Sequence, residues 1–326
     1  MATAFSPANS VTVTTAANFI PEIWSDEIVA AYKKNLVLAN LIQKMNFRGK
    51  KGDTVHVPAP TRGSASAKAA TNAVTLIAAT ESEVQILINK HYEYSRLIED
   101  IVETQALNSL RQFYTADAGY ALARQVDTDL IRLGRAFNGA TVGTDDYATS
   151  ASSTAAYIGS NGTTAYNSST SNAAALTDAA IRRTIQRLDD NDTPMDGRFF
   201  IIPPSSRNTL MGLARYTEQA FIGEAGSNNT IRNGEIGNLY GIPVFVTSNA
   251  DFGAGNSGAD RICLMGHKES MVLVEQVAVR SQTQYKQEYL GTLFTADTLY
   301  GVKAMRTAAT TGAATSSSAF ALAVPA

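Results

Sequence analysis

A single cysteine, Cys263, serves the whole 326-residue chain, so no internal disulfide can brace it and an oxidising compartment is not required. It lies in the apolar run Ile262-Cys263-Leu264-Met265 and reads as a small buried hydrophobe. Charge is also scarce, at 17% of residues where about 25% is usual. Net charge is −2 and the isoelectric point is near 6.0. That balance argues against a dedicated nucleic-acid binder, whose domain pI is often above about 9, but permits a surface that merely faces DNA without gripping it. No stretch approaches 18 continuous apolar residues, so no membrane span is expected. Residues 1–10 lack a basic segment followed by an apolar run, so no signal peptide is expected. The simplest expectation is a soluble chain made in a reducing cytoplasm.

Catalytic patterns are missing too. The three histidines, His56, His91 and His267, lie far apart and never in His-Glu-x-x-His or His-x-x-His spacing. There is no Gly-x-Ser-x-Gly elbow and no Gly-x-x-x-x-Gly-Lys-Ser/Thr phosphate loop. Asp189, Asp190, Asn191 and Asp192 loosely resemble a calcium loop but lack its glycine and terminal glutamate, so a solvated helix end is the better reading. Glu99, Asp100 and Glu103 fit the negative start of a helix and need no catalysis. His91, beside Tyr92 in an alternating run, reads as a partly buried strand residue. No catalytic residue, metal site or cofactor is expected.

A 44% hydrophobic content is enough for a sizeable core, in one large or two modest domains. Residues 1–20 are Thr/Ala/Val-rich and unpatterned. Ile23, Ile28, Ala31, Leu38 and Leu41-Ile42 follow helical spacing, predicting a helix over 22–44 with Ser25 and Asp26 as caps. Thr54–Val57 alternates and is stopped by Pro58 and Pro60. Alternation returns with Val84, Ile86 and Ile88 on one face, continued by Tyr92 and Tyr94. Two strands around some 25 weakly apolar residues make a long hairpin-like excursion, and loops of that length are usually functional. Lys50, Lys51, Arg62 and Lys68 form a basic cluster on it, either solvated or meeting acids on a neighbouring subunit. Nucleic acid is disfavoured there, because no aromatics for base stacking lie between Arg48 and Val84.

Leu107, Leu110, Tyr114, Ala118, Ala121, Val126, Leu130, Leu133 and Phe137 predict a long helix over 97–137, with a restart at Asn108-Ser109. Residues 139–175 read as a Gly/Ser/Thr-rich insertion or surface loop. Beyond them, Thr177-Asp178 caps a helix to about Leu188, and Arg198–Ile202 is a buried strand ended by Pro203-Pro204. Ser205 opens a short helix to Leu213. Residues 223–237 read as loop, and strands follow at 242–246, 261–265 and 271–280. Beyond Arg306 the chain reads as an Ala/Thr/Ser-rich tail. The most distinctive stretch, Gly234–Asn249, is a glycine-punctuated turn feeding a buried strand, with nothing suited to chemistry. The class is α+β.

Six segments stand out in order: Phe19-Ile20-Pro21-Glu22-Ile23-Trp24-Ser25-Asp26-Glu27-Ile28, Gly52-Asp53-Thr54-Val55-His56-Val57-Pro58, Gly234–Asn249, Gly266-His267-Lys268-Glu269, Tyr289-Leu290-Gly291-Thr292-Leu293-Phe294 and Tyr300-Gly301-Val302-Lys303. Together they resemble the major capsid proteins of tailed bacteriophages, particularly podovirus-like short-tailed phages and cyanophages. The likeness covers about residues 19–306 through the order and spacing of these motifs. It implies a Hong Kong 97 capsid fold: an N-terminal arm over 1–47, an extended two-stranded loop over 48–94, and a peripheral domain with spine helix and insertion over 95–175. An axial domain over 176–265, a return to the peripheral domain over 266–308 and a tail over 309–326 complete it.

The resemblance further implies self-assembly as hexamers and pentamers into an icosahedral shell around double-stranded DNA. Its expected partners are a scaffolding protein and a portal, with room for a decoration protein. Lys50, Lys51, Arg62 and Lys68 are the candidate inter-subunit contacts, in a virion assembled in the host cytoplasm. The cross-linking of some members is not carried over, since Lys68 and Asn72 lie in the matching region but no motif supports it. A nanocompartment shell enclosing cargo enzymes and an enzyme using His267 or Asp189–Asp192 are the competing readings.

Overall fold

The computed structural model of the protein describes residues 37–60, 65–68, 70, 73, 74, 76, 81–100, 109–134, 156–167, 170–213, 237–250, 260–305 and 318–326. The expected arm before Val37, the expected 223–237 loop except for Gly237, and much of the excursion lie outside them. The described residues open with a single helical turn, α1 (Leu38–Leu41), then β1 (Gln43–Asn46), β2 (Thr54–Pro60), β3 (Glu81–Leu87) and β4 (Lys90–Glu99). The long helix α2 (Ser109–Gly134) is followed by β5 (Tyr157–Ile158), α3 (Asp178–Asp190), β6 (Arg198–Ile202) and α4 (Pro204–Met211). The remainder is β-rich: β7 (Asn238–Leu239), β8 (Ile242–Val246), β9 (Asp260–His267), β10 (Met271–Lys286), β11 (Gly291–Ala304) and β12 (Ala319–Pro325).

These strands form a four-stranded sheet of order β1-β10-β11-β4, a six-stranded sheet of order β5-β12-β9-β6-β8-β7 and the separate hairpin β2-β3. Helix α2, about 39 Å long at ~1.5 Å per residue, lies across the four-stranded sheet. Its Ala118 and Leu122 meet Phe294, Ala296, Tyr92 and Tyr94, and one end packs Leu130 and Leu133 on Leu273, Tyr300 and Val302. Phe199, Ile201 and Leu264 of the six-stranded sheet share that second cluster, so one core joins the two sheets. The alternate residues Phe200, Ile202, Cys263 and Met265 face α3 and α4. β6 is therefore buried on both faces, which is why Arg-Phe-Phe-Ile-Ile shows no polar alternation.

Local signals act as expected where they are strong. Thr177 accepts a hydrogen bond from Ala180 N (3.3 Å), and Ile181, Thr184 and Leu188 bury one face of α3. Tyr240 and Gly241 have φ of 52° and 81°, the pair of positive values a two-residue primed turn needs to join β7 and β8.

Several expectations are corrected. Gln43–Asn46 is a strand, because it adds in parallel to Val272–Glu275 instead of extending the 22–44 helix. β2 runs through Pro58 to Pro60, since it has one partner only and a proline can turn its missing N–H side outward. Leu97–Glu99 belong to β4, paired with Gly291–Leu293, so Glu99 sits on a strand and not at the start of the long helix. Strand 242–246 is half-buried after Ile242, and His91 is exposed.

The largest corrections concern the stretch read as an insertion or surface loop and the stretch read as a tail. Within 139–175, Ala156 and Tyr166 are core residues, Tyr166 hydroxyl donates to buried Asp260 (2.7 Å), and β5 joins the six-stranded sheet by pairing in parallel with β12. The supposed 309–326 tail contains β12, wedged between β5 and β9.

Candidate assembly surfaces

The excursion begins at a braced base. Gln276 Nε2 donates to Lys50 O (3.0 Å) and Gly52 O (2.9 Å), and Arg48 pairs with Glu275 at 2.8 Å. Ile86, Ile88, Val272 and Val274 form the core beneath, with Val55 and Val57 against it. From this base β2 and β3 pair from Thr54–Leu87 to Pro60–Glu81. On the exposed face His56 Nδ1 lies 3.0 Å from Glu83, and hydrogen bonds from Gln85 and then His56 hold the Glu83 carboxyl below its ordinary range. Further out, Lys68 is exposed, and Val74 and Leu76 are 68% and 89% exposed. Neighbouring apolar residues so far into solvent have nothing to pack on among the described residues of one subunit.

Lys50 lies 5.5 Å from the Phe47 ring, and Lys51 is exposed. Neither Lys51 nor Lys68 has an ion-pair partner among the described residues, and Arg62 lies outside them. The structure thus puts Lys50 and Lys51 together at the base and Lys68 further along the loop.

A second surface is the far end of the β10–β11 ribbon. Tyr289 and Leu290, at its turn, are 62% and 67% exposed, with Tyr285, Val279 and Leu97 also open. Tyr285 hydroxyl donates to Asp100 (2.8 Å). Midway along the ribbon Arg280 forks onto Asp297 (2.7 and 2.9 Å), and His91 Nε2 lies 3.1 Å from the same carboxylate. That fork, with His91 helping, holds Asp297 below the usual carboxylate range.

Sequence reasoning missed the polar junction between α1, α2 and the six-stranded sheet. Asp127, fully buried, accepts from Leu38 N (2.9 Å), Ala39 N (3.3 Å) and Asn249 Nδ2 (3.1 Å), so a residue on α2 caps α1. Burial outweighs these bonds and pushes its carboxyl up. Two residues on, buried Asp129 accepts from Tyr300 hydroxyl (2.7 Å) and lies 3.9 Å from Lys90 Nζ. The available signal was two aspartates embedded in the apolar seam Val126–Leu133.

The candidates for chemistry have structural explanations. His267 is buried, with Nε2 2.9 Å from Asp196 O and Nδ1 accepting from Glu269 N (3.2 Å), so both ring nitrogens are engaged by backbone. Asp189 pairs with Arg198 at 2.7 Å at the end of α3. Burial pushes the Cys263 thiol up to about 12, and thiolate is the reactive form. Among the described residues no three His, Cys, Asp or Glu side chains group to hold a metal, and no helix is long and apolar enough to cross a membrane.

Comparison with known proteins gives one consistent result. The sequence model of a family described as phage capsid protein matches residues 24–310. Among solved structures, a chain from Mycobacterium phage Che8 superposes with a TM-score of 0.70 at 21% identity, covering 94% of this chain and 97% of that one. The capsid of cyanophage P-SCSP1u gives 0.71 at 17% identity, covering 98% of both chains, and the capsid of Ralstonia phage GP4 gives 0.67 at 14%, also 98% of both. No curated protein sequence matches.

Proposed function

The chain belongs to the phage capsid protein family, and from that premise we infer how its subunits join. It is a major capsid protein, a shell subunit of Hong Kong 97 fold found in the virion, and its role is structural. In our reading, copies assemble as hexamers and pentamers and close into an icosahedral shell around double-stranded DNA. The observation that carries this is the excursion, whose exposed Val74 and Leu76 and charged Lys51 and Lys68 find no partner among the described residues. Lys50, Lys51, Arg62 and Lys68 meet acids of a neighbouring copy. Obligate interfaces commonly bury about 2,000–5,000 Å², and an arm and a projecting hairpin add such area with little chain.

We keep the peripheral and axial division as part of this proposal, moving β5 and β12 into the six-stranded axial sheet. A scaffolding protein and a portal act during assembly in the host cytoplasm, and a decoration protein has room outside. With a net charge of −2, the wall leaves packaged DNA free to slide. The nanocompartment and enzyme alternatives are not favoured by the family match.

Negative-stain electron microscopy tests the reading, on the protein expressed alone and with a scaffolding protein. Closed shells of uniform size with five- and six-fold capsomers are expected. Monomers or small rings under both conditions would refute it.

A further inference from the structure

β10 spans Met271–Lys286, but β1 pairs with its outer edge only at Val272–Glu275. Phe47 N bonds Glu275 O (2.9 Å), and Gln276 then holds Lys50 O and Gly52 O, so the chain leaves the edge there. Among the described residues no strand pairs with the outer side from Val277 to Lys286, while the inner side is laddered to β11 as far as Gly291. That is about 33 Å of unpaired edge at ~3.3 Å per residue, long enough to template another strand. The opposite edge is guarded, since β4 carries Lys90, His91, Glu93, Arg96 and Glu99. The β10 edge is guarded less: its bulges lie before Arg280, Arg280 is itself forked onto Asp297 and Lys286 closes the end, while Ser281-Gln282-Thr283-Gln284 between them is uncharged and exposed. A hollow of about 570 Å³ lined by Gln282, Thr283, Gln284, Leu293 and Thr295 adjoins it.

We propose that this edge accepts an added strand from a second copy of the chain, and that the strand is Val11–Thr15. Val11-Thr12-Val13-Thr14-Thr15 is β-branched at every position and has no charge, proline or glycine, the composition that adds well to a sheet. The roughly 21 residues from Ala16 to Leu36 reach at most about 70 Å, far enough to cross to a neighbour. The same arm leads into β1, which already occupies the head of this edge. Donation around a closed shell covers every open edge, so a long, sparsely charged edge is no aggregation hazard in the assembled state.

This inference rests on the shell reading. Its test uses cysteine pairs in assembled particles, Cys263 being fully buried and inert. Val13→Cys is combined in turn with Ser281→Cys, Gln282→Cys, Thr283→Cys, Gln284→Cys and Tyr285→Cys. Neighbouring strands bring facing Cβ atoms to about 4.5–5.5 Å, near the span a disulfide bridges, so only matched registers link. The expected result is normal particles that give a ladder of linked multimers on mild oxidation, lost on reduction. Particles without a ladder, an intrachain bond, or a ladder only when Val74→Cys replaces Val13→Cys overturn the proposal.

Thr283→Lys is an independent arm, placing a guard charge like those on β4. It is expected to cut particle yield at least about ten-fold with the subunit's Tm unchanged; an unchanged yield also overturns the proposal. Absence of particles from the unsubstituted chain refutes the shell reading instead.

Discussion

Asp127 shows how one buried charge can tie three segments together. It caps α1 through Leu38 N and Ala39 N and holds Asn249. Asp127→Ala leaves those donors unpaired and should cost about 2–4 kcal/mol, read by denaturant unfolding. Its pH behaviour is opposite to that of Asp297. Burial raises the Asp127 carboxyl in the folded chain, so its contribution is fullest below the ordinary carboxylate range and lost as pH rises through the raised value. Asp297, lowered by Arg280, contributes above that range and loses its effect as pH falls. Measured by Tm between about pH 4 and 8, the gap between wild type and Asp127→Asn should narrow as pH rises. The gap for Asp297→Asn should narrow as pH falls. Parallel slopes for the two variants would disprove this account.

At the scale of elements, β12 decides whether the six-stranded sheet exists at all. It places Phe320, Leu322 and Val324 in one cluster and Ala321 and Ala323 in another. Burying three large side chains is worth roughly 5–9 kcal/mol, comparable to the whole stability of a domain at about 5–15. Truncation after residue 317 should therefore abolish soluble expression, while Leu322→Ala should cost about 2–5 kcal/mol and remain foldable. The contrast between a missed strand and an easily read helix is instructive. α3 declared itself through Thr177 and a one-sided apolar face. β12 did alternate, as Ala-Phe-Ala-Leu-Ala-Val, but its small face is alanine, which composition alone assigns to a polar tail. Likewise β5 is two residues long, and its place in the sheet depends on β12 and Asp260, both far away in sequence. The excursion and the buried strand β6 were legible because each needs only local alternation or a continuous apolar run. The Asp127 junction was not, because a helical seam containing aspartates reads as a solvated face until its partners arrive from residues 38 and 249.

For the whole molecule, scarcity of charge makes the few exposed cations informative. A solvent-exposed ion pair is worth at most about 1 kcal/mol, so Lys51 and Lys68 cannot by themselves hold a shell together. Their effect lies in encounter, since charge at the rim of an interface changes association rate and salt sensitivity more than final affinity. Repetition around a capsomer multiplies that effect without requiring any single strong contact. Lys51→Glu with Lys68→Glu should slow assembly at least about ten-fold at 0.05 M salt and leave subunit Tm within about 1 °C. Raising salt to 0.5 M shortens the screening length from about 14 Å to 4 Å. Wild-type assembly should then slow and the variant should speed up, so that the two rates converge in light-scattering traces. Convergence follows only if these lysines approach acids on a neighbouring copy; equal rates at low salt would assign them to a solvated surface.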